Sequence, residues 1–179
     1  MTQITLAVTG SISAYKAADI TSQLTKLGLE VKVLMTPAAR KFITPLTLQV
    51  LSKHQVGLDV IIEDDPQRIE HIDIGKETDL FLVAPASANT IAKLAMGLAD
   101  NMVTSTALAL PQTTKKLLAP AMNTKMLEHP ATQRNLKLLQ DYGYQIIQPR
   151  EALLACGDKG SGALASVETI VETVKENCL

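Results

Sequence analysis

Residues 3–28 read QITLAVTGSISAYKAADITSQLTKLG, and this stretch decides the fold. Residues 3–9 form a short apolar run rich in β-branched side chains, which breaks at Gly10. Residues 14–27 then carry apolar side chains at helical spacing, and Gly28 follows. The pattern predicts a strand, a tight turn and a helix in that order.

The same alternation continues along the chain. Further strands are predicted over residues 31–36, 79–86, 115–119 and 144–148. Further helices are predicted over residues 87–96, 101–110, 131–142 and 166–177. Such alternation predicts a single-domain α/β protein with a doubly wound, mostly parallel sheet of the Rossmann-like (flavodoxin-like) kind and helices on both faces. Any ligand site is then expected at the carboxyl ends of the strands.

Composition excludes several classes of protein. The 179 residues are 46% hydrophobic and 20% charged, which predicts one globular domain over residues 1–179. Nucleic acid is not expected as a partner, because 17 basic and 18 acidic residues nearly balance and no basic run is present. No apolar run is long enough to span a membrane and no signal peptide is visible, so we expect a cytoplasmic protein. Both cysteines, Cys156 and Cys178, are expected to be free thiols.

Hydroxyl side chains follow the first two predicted strands. Ser11 and Ser13 come after Gly10, and no other glycine lies close enough to complete a G-x-G-x-x-G dinucleotide fingerprint. One glycine, two hydroxyls and the start of a helix suit a single phosphate, although helix capping alone explains the same residues. Thr36 ends the second strand, where a hydroxyl tolerates phosphate and a carboxylate would repel it.

The later strands are followed by small and amide residues. Residues 84–90 read APASANT, and helix capping explains one of its polar residues but not Ser87, Asn89 and Thr90 together. Residues 119–126 read APAMNTKM, in which the methionines fit a core, whereas a buried Asn123 amide needs hydrogen-bond partners.

Residues 155–162 read ACGDKGSG and are rich in glycine, which predicts a mobile flap around residues 153–165. Its cysteine is either a functional thiol or a small buried hydrophobe.

His71 has no decisive context in the sequence. No spacing of His, Cys and Asp resembles a zinc site, and no metal is expected.

Taken together, these motifs resemble the homo-oligomeric flavin-containing cysteine decarboxylases over almost the whole chain. The motifs fall in the order of that family: GSISAYK at 10–16, PASANT at 85–90, PAMN at 120–123 with Met126, and ACGD at 155–158. The resemblance implies FMN as cofactor and is strongest to the branch that converts 4'-phospho-N-pantothenoylcysteine into 4'-phosphopantetheine for coenzyme A. It also implies trimers or dodecamers with active sites shared between subunits.

The resemblance further implies roles for individual residues. His71 stands at the place of the active-site histidine, Asn123 at that of the amide binding the substrate carboxylate, and Cys156 at that of the flap thiol. The implied FMN site comprises Gly10, Ser11, Ile12, Thr36, Ser87, Ala88, Asn89, Thr90 and Ala121. The implied substrate contacts are Asn123, Leu154, Ala155, Gly157 and Asp158. His71 and Asn123 are implied to serve one site from different subunits.

Direct loss of CO2 from a cysteine-derived carboxylate leaves an unstabilised carbanion, so an electron sink must be created first. The resemblance implies oxidation of the thiol to a thioaldehyde with the flavin as sink, loss of CO2 to an enethiolate, and reduction with a proton from Cys156. A peptidyl-cysteine decarboxylase and a flavin prenyltransferase share the fold, but the cysteine flap disfavours both. A flavin-binding regulatory subunit without catalysis is the alternative from another class of function.

Overall fold

The computed structural model describes residues 2–61, 67–155, 157 and 159–178. The strands are β1 (Gln3–Val8), β2 (Glu30–Met35), β3 (Leu80–Ala86), β4 (Lys115–Pro120), β5 (Tyr144–Ile146), β6 (Arg150–Leu153) and β7 (Lys159–Ala163). The α-helices are α1 (Ala17–Lys26), α2 (Pro45–Ser52), α3 (Glu70–Glu77), α4 (Ala88–Met96), α5 (Met102–Leu108), α6 (Thr124–Glu128), α7 (Pro130–Asp141) and α8 (Val167–Cys178). Short 3₁₀ helices span Ile12–Lys16 and Ala39–Lys41.

Strands β1 to β5 form one parallel sheet in the order β2-β1-β3-β4-β5. The chain therefore steps to one side of β1 to reach β2 and to the other side to reach β3. At such a switch point the loops after the two strands diverge and leave a crevice at the carboxyl edge of the sheet. The prediction of a doubly wound, flavodoxin-like α/β fold is confirmed.

Both faces of the sheet are covered by helices. Along β1, Ile4, Leu6 and Val8 pack into a cluster with α1 and α8, while Ala7 belongs to the opposite cluster with α4 and α5. Every residue of β1 is buried, as expected for a central parallel strand. Among the described residues, no helix is long and apolar enough to cross a membrane.

Three α-helices, α2, α3 and α6, lie where the sequence predicts none. Helix α2 begins with Pro45, a residue favoured in the first helical turn. Helix α3 begins within residues 59–74, a stretch without a clear helical pattern in the sequence, and its first turn carries Glu70 and Asp73. Those carboxylates interact favourably with the positive end of the helix dipole, which stabilises the start of α3. Residues 62–66 lie outside the described part of the chain.

The glycine-rich segment contains an antiparallel hairpin of β6 and β7. Met122 N–H donates to the Gly162 carbonyl at 2.9 Å, which attaches β7 to the loop after β4. Gly162 has φ +127°, and a Cβ there would lie 2.2 Å from the Met122 carbonyl oxygen, so only glycine fits this approach. The predicted flap around 153–165 thus lies beside the carboxyl edge of the sheet, while Cys156 and Asp158 lie outside the described residues.

Candidate active site

The carboxyl ends of β1, β3 and β4 open into one cleft of about 600 Å³. Loops that follow these strands form one wall, and the β6–β7 hairpin forms another. The cleft brings together site residues predicted from four separate stretches of sequence. These are Gly10, Ser11, Ile12, Ser87, Ala88, Ala121, Asn123, Leu154 and Ala155.

The remaining described residues of the predicted flavin and substrate sites do not line this cleft. Thr36 is buried, and its hydroxyl accepts from the Ala39 N–H at 3.2 Å, so it shapes the loop after β2. Asn89 is exposed on α4, and Thr90 is buried beneath it. Gly157 lies at the hairpin tip with φ +89°.

Thr9 joins the two walls of the switch-point crevice. Its side chain is fully buried, its hydroxyl donates to the Pro85 carbonyl at 2.7 Å, and the same oxygen accepts from the Ser87 N–H at 2.8 Å. One hydroxyl therefore fixes the end of β1 against the start of α4. Thr9 is not among the site residues that the sequence predicts. The available signal was a hydroxyl residue directly after a buried strand and directly before Gly10.

Thr9→Val is expected to loosen this junction, because valine keeps the shape of the side chain and removes both hydrogen bonds. The unpartnered Ser87 N–H and Pro85 carbonyl should lower the free energy of unfolding by about 1–3 kcal/mol. Urea unfolding of Thr9→Val beside Thr9→Ser, which retains the hydroxyl, measures the effect. Equal stability of the two variants would contradict the bridging role of Thr9.

Tight backbone packing and capping shape the first turn. A Cβ on Gly10 would lie 2.6 Å from the Ala38 Cβ, so glycine lets the loops after β1 and β2 meet. Ser11 Oγ accepts from the Ser13 N–H at 3.3 Å, and Ser87 Oγ accepts from the Thr90 N–H at 3.2 Å. The capping interpretation of both serines is confirmed, and both also line the cleft.

Asn123 is the N-cap of α6, with its Oδ1 accepting from the Lys125 N–H at 2.9 Å. This bond fixes the orientation of the amide, whose NH2 group is the chemical donor for a carboxylate. The next residue, Thr124, donates its hydroxyl to the Ser161 carbonyl of β7 at 2.5 Å. Asn123 is therefore positioned by a helix start and by the hairpin that faces it.

Large apolar side chains remain exposed around the cleft. Tyr15 is 60%, Phe42 48% and Met126 50% exposed, and each lines the cleft. The interpretation of Met126 as a core residue is therefore wrong, since α6 places it at the surface. Exposed aromatic and thioether groups at the rim of a cleft indicate a binding site for a flat, largely apolar ligand. In the sequence, these residues were indistinguishable from ordinary core formers.

His71 lies outside this cleft. It belongs to α3 and borders a second pocket with Ile61, Ile72, Leu108 and neighbouring residues. Its Nδ1 is buried and has no hydrogen-bond partner among the described residues. A single chain therefore does not bring His71 together with Asn123. The described residues also contain no group of three or more His, Cys, Asp or Glu side chains arranged to hold a metal ion.

The residues of the cleft fit a flavin mononucleotide. Ser11 and Ser13 offer hydroxyls for a phosphate at the turn after β1, where backbone N–H groups begin a helix. Ala88 and Ala121 have side chains small enough for a ring to approach the backbone. Apolar groups at the rim suit the ring itself.

Residues 1–179 match the protein-family model described as Flavoprotein. The chain belongs to the Flavoprotein family. A "probable phosphopantothenoylcysteine decarboxylase" of Streptococcus mutans is 63% identical over 174 residues, covering 97% of both chains. A coenzyme A biosynthesis bifunctional protein of Bacillus subtilis is 47% identical over 174 residues, which are 97% of this chain and 42% of the bifunctional protein.

Solved structures are similar to this chain over almost its whole length. A cysteine-to-serine variant of PPC decarboxylase, complexed with pantothenoylaminoethenethiol, has a TM-score of 0.90 at 32% identity and matches 98% of this chain and 97% of its own. The FMN binding protein AtHal3 has a TM-score of 0.85 at 33% identity, over 98% of this chain and 95% of its own. The resemblance inferred from the sequence motifs is confirmed at the level of family and fold.

Proposed function

We propose that this protein is an FMN-dependent decarboxylase that converts 4'-phospho-N-pantothenoylcysteine into 4'-phosphopantetheine in coenzyme A synthesis. The observation that carries the proposal is the meeting of the Ser11 turn, the Asn123 amide and the β6–β7 hairpin in one cleft. The high identity with the Streptococcus mutans decarboxylase over nearly both full lengths supports the same substrate.

FMN would be held by the turn at Gly10 and Ser11 and by the start of α4 at Ser87 and Ala88, with Ala121 beside the ring. Thr36, Asn89 and Thr90 would act indirectly in this single chain, through the loops that they shape. When bound, the flavin supplies a reversible sink for two electrons beside the thiol-bearing carbon of the substrate.

Asn123 would bind and orient the substrate carboxylate. Its NH2 group is a neutral donor, so it can hold the anion without the strong stabilisation that a cation would give to the carboxylate before CO2 leaves. Leu154 and Ala155, from the hairpin, would enclose the reacting end of the substrate together with Met126. Orientation of this kind supplies catalysis by fixing the reacting groups in one geometry.

Cys156 would supply the proton that completes the product. The enethiol left by CO2 loss needs one hydride equivalent and one proton to become the saturated thiol, and the flap thiol is a suitable acid. The solved complex of a cysteine-to-serine PPC decarboxylase with pantothenoylaminoethenethiol supports this role, because that ligand carries the enethiol group. Gly157 and Asp158 would then contact the substrate beside Cys156.

His71 would complete the site of a neighbouring copy in a homotrimer or a dodecamer built from trimers. Its Nδ1 has no hydrogen-bond partner among the described residues. The apolar residues around it are exposed, including Ile61, which is 83% exposed, and Leu108, which is 64% exposed. A second copy seated there would cover this surface and bring the imidazole to the cleft of its neighbour. In that position His71 would act as a base or as an electrostatic partner of the substrate.

Purified protein is expected to be yellow, with a flavin absorption spectrum, and to release CO2 from 4'-phospho-N-pantothenoylcysteine without added NAD(P)H. The reaction is redox-neutral overall, so no external reductant is required. Free FMN with the same substrate is the control. Release of CO2 only from a peptide with a carboxyl-terminal cysteine, or prenyl transfer to flavin, would point to the alternatives of the same fold. A yellow protein with no reaction would favour a regulatory subunit.

A further inference from the structure

The charged side chains that line the described part of the cleft are both basic. Lys16 reaches the cleft from the 3₁₀ helix after β1, and Arg150 reaches it from the start of β6. The other described lining residues are apolar, hydroxyl, amide or glycine residues, with no carboxylate among them. The whole chain has a formal net charge of −1, so this pair is a local concentration of positive charge.

Arg150 is held in place by the hairpin to which it belongs. Its Nε donates to the Leu164 carbonyl at 3.1 Å, and its backbone lies opposite Ala163 on β7. Within the described part of the chain, no acidic side chain lies within salt-bridge distance of Arg150. The Nε bond occupies one edge of the guanidinium and leaves its terminal nitrogens as the donors for a ligand.

Lys16 is close enough to Arg150 for the two charges to interact. Burial lowers the pKa of Lys16, the Arg150 guanidinium lowers it further, and the Glu168 carboxylate on α8 raises it. Two cations facing one cleft repel each other, and an anion between them removes that repulsion. The arrangement is therefore suited to a ligand with more than one negative charge.

We propose that Arg150, assisted by Lys16, binds the phosphate monoester of the substrate and selects it over the unphosphorylated compound. This inference rests on the proposed function, which supplies the substrate. Arginine binds phosphate through paired N–H donors, and lysine adds a compact second charge. The phosphate of FMN has separate donors at Ser11 and Ser13, whereas Arg150 lies on the hairpin that also carries Leu154 and Ala155.

The test compares 4'-phospho-N-pantothenoylcysteine with N-pantothenoylcysteine as substrates of the FMN-loaded enzyme. Arg150→Ala should lower kcat/KM for the phosphorylated substrate by about 10- to 100-fold, mainly through KM, as expected for loss of a charge-assisted contact. The ratio of kcat/KM for the phosphorylated substrate to kcat/KM for the unphosphorylated one should then fall towards one. Arg150→Lys should retain part of this preference. Arg134→Ala removes the same charge from an exposed position on α7 and is the matched control.

An equal loss of kcat/KM on both substrates, or no loss, would overturn the assignment. Weaker FMN retention by Arg150→Ala, measured by flavin fluorescence on dilution, would overturn it in favour of the cofactor phosphate. If the wild-type enzyme releases CO2 from neither substrate, the proposed function fails separately. Calorimetric binding of the two compounds then decides the present inference: tighter binding of the phosphorylated compound that requires Arg150 supports it, and equal binding rejects it.

Discussion

Cys156→Ser is expected to release CO2 and yet to make almost no saturated product. A serine hydroxyl is a far weaker acid than a thiol, so the variant lacks the proton donor for the last step. Loss of a positioned general acid costs about 10²- to 10⁴-fold in rate, and product formation should fall by that factor. Mass spectrometry should find the enethiol, which lacks two hydrogens relative to 4'-phosphopantetheine.

Cys178→Ser is the matched control for this experiment. Cys178 is a free thiol on α8, burial raises its pKa, and it does not line the cleft. Its replacement should leave product formation near the wild-type rate. Wild-type formation of 4'-phosphopantetheine by Cys156→Ser would remove the proton-donor role of Cys156, whatever the control shows.

Asn123→Asp should abolish decarboxylation without unfolding the protein. Aspartate is as good an N-cap as asparagine, so its carboxylate can still accept from the Lys125 N–H and begin α6. The same carboxylate would repel the substrate carboxylate and remove the NH2 donor. We expect kcat/KM to fall by about 10³-fold or more, combining lost orientation with like-charge repulsion. Stability by urea unfolding should change by less than about 0.5 kcal/mol.

The aspartate variant separates the two roles of Asn123, because an amide needed only as a cap would leave an active enzyme. Activity above about one tenth of wild type would reject carboxylate binding by Asn123, given the size of charge-repulsion effects. Asn123→Asp also tests the shared site when it is mixed with His71→Ala and the subunits are allowed to exchange. If His71 and Asn123 serve one site from different copies, random assembly restores about a quarter of the wild-type sites. No restoration in exchanged oligomers would place both groups in one chain.

The sheet was readable from the sequence because its strands are apolar and end at glycine, proline or hydroxyl residues. The run before Gly10 and the run before Ser87 each predicted a strand whose carboxyl end holds a polar loop, and both loops line the cleft. Parallel topology then placed those loops side by side without further information. The residues of the predicted flavin and substrate sites that line the cleft all come from such loops or from the glycine-rich segment.

The features that escaped prediction depend on contacts between distant parts of the chain. In the sequence Thr9 is indistinguishable from an ordinary strand residue, because its bridging role depends on hydrogen bonds to Pro85 and Ser87. The hairpin carries few of the β-branched residues that indicate strands, and its docking depends on the approach of Gly162 to Met122. The proposed role of Arg150 depends on its sharing a cleft with Lys16, which lies far away in the sequence. No local pattern encodes any of these pairings.

The two anchors of β7 on the loop after β4 have a practical consequence for redesign. Met122 and Thr124, on either side of Asn123, are each bonded to β7. A change of backbone path in β7 would therefore shift the Asn123 amide. Under the proposed function, such a shift would weaken both catalysis and binding of the substrate carboxylate. Among the described residues, no hydrogen bond of this kind joins β6 to Met122 or Thr124, so attempts to admit bulkier or uncharged cysteine derivatives are best confined to the side chains of β6.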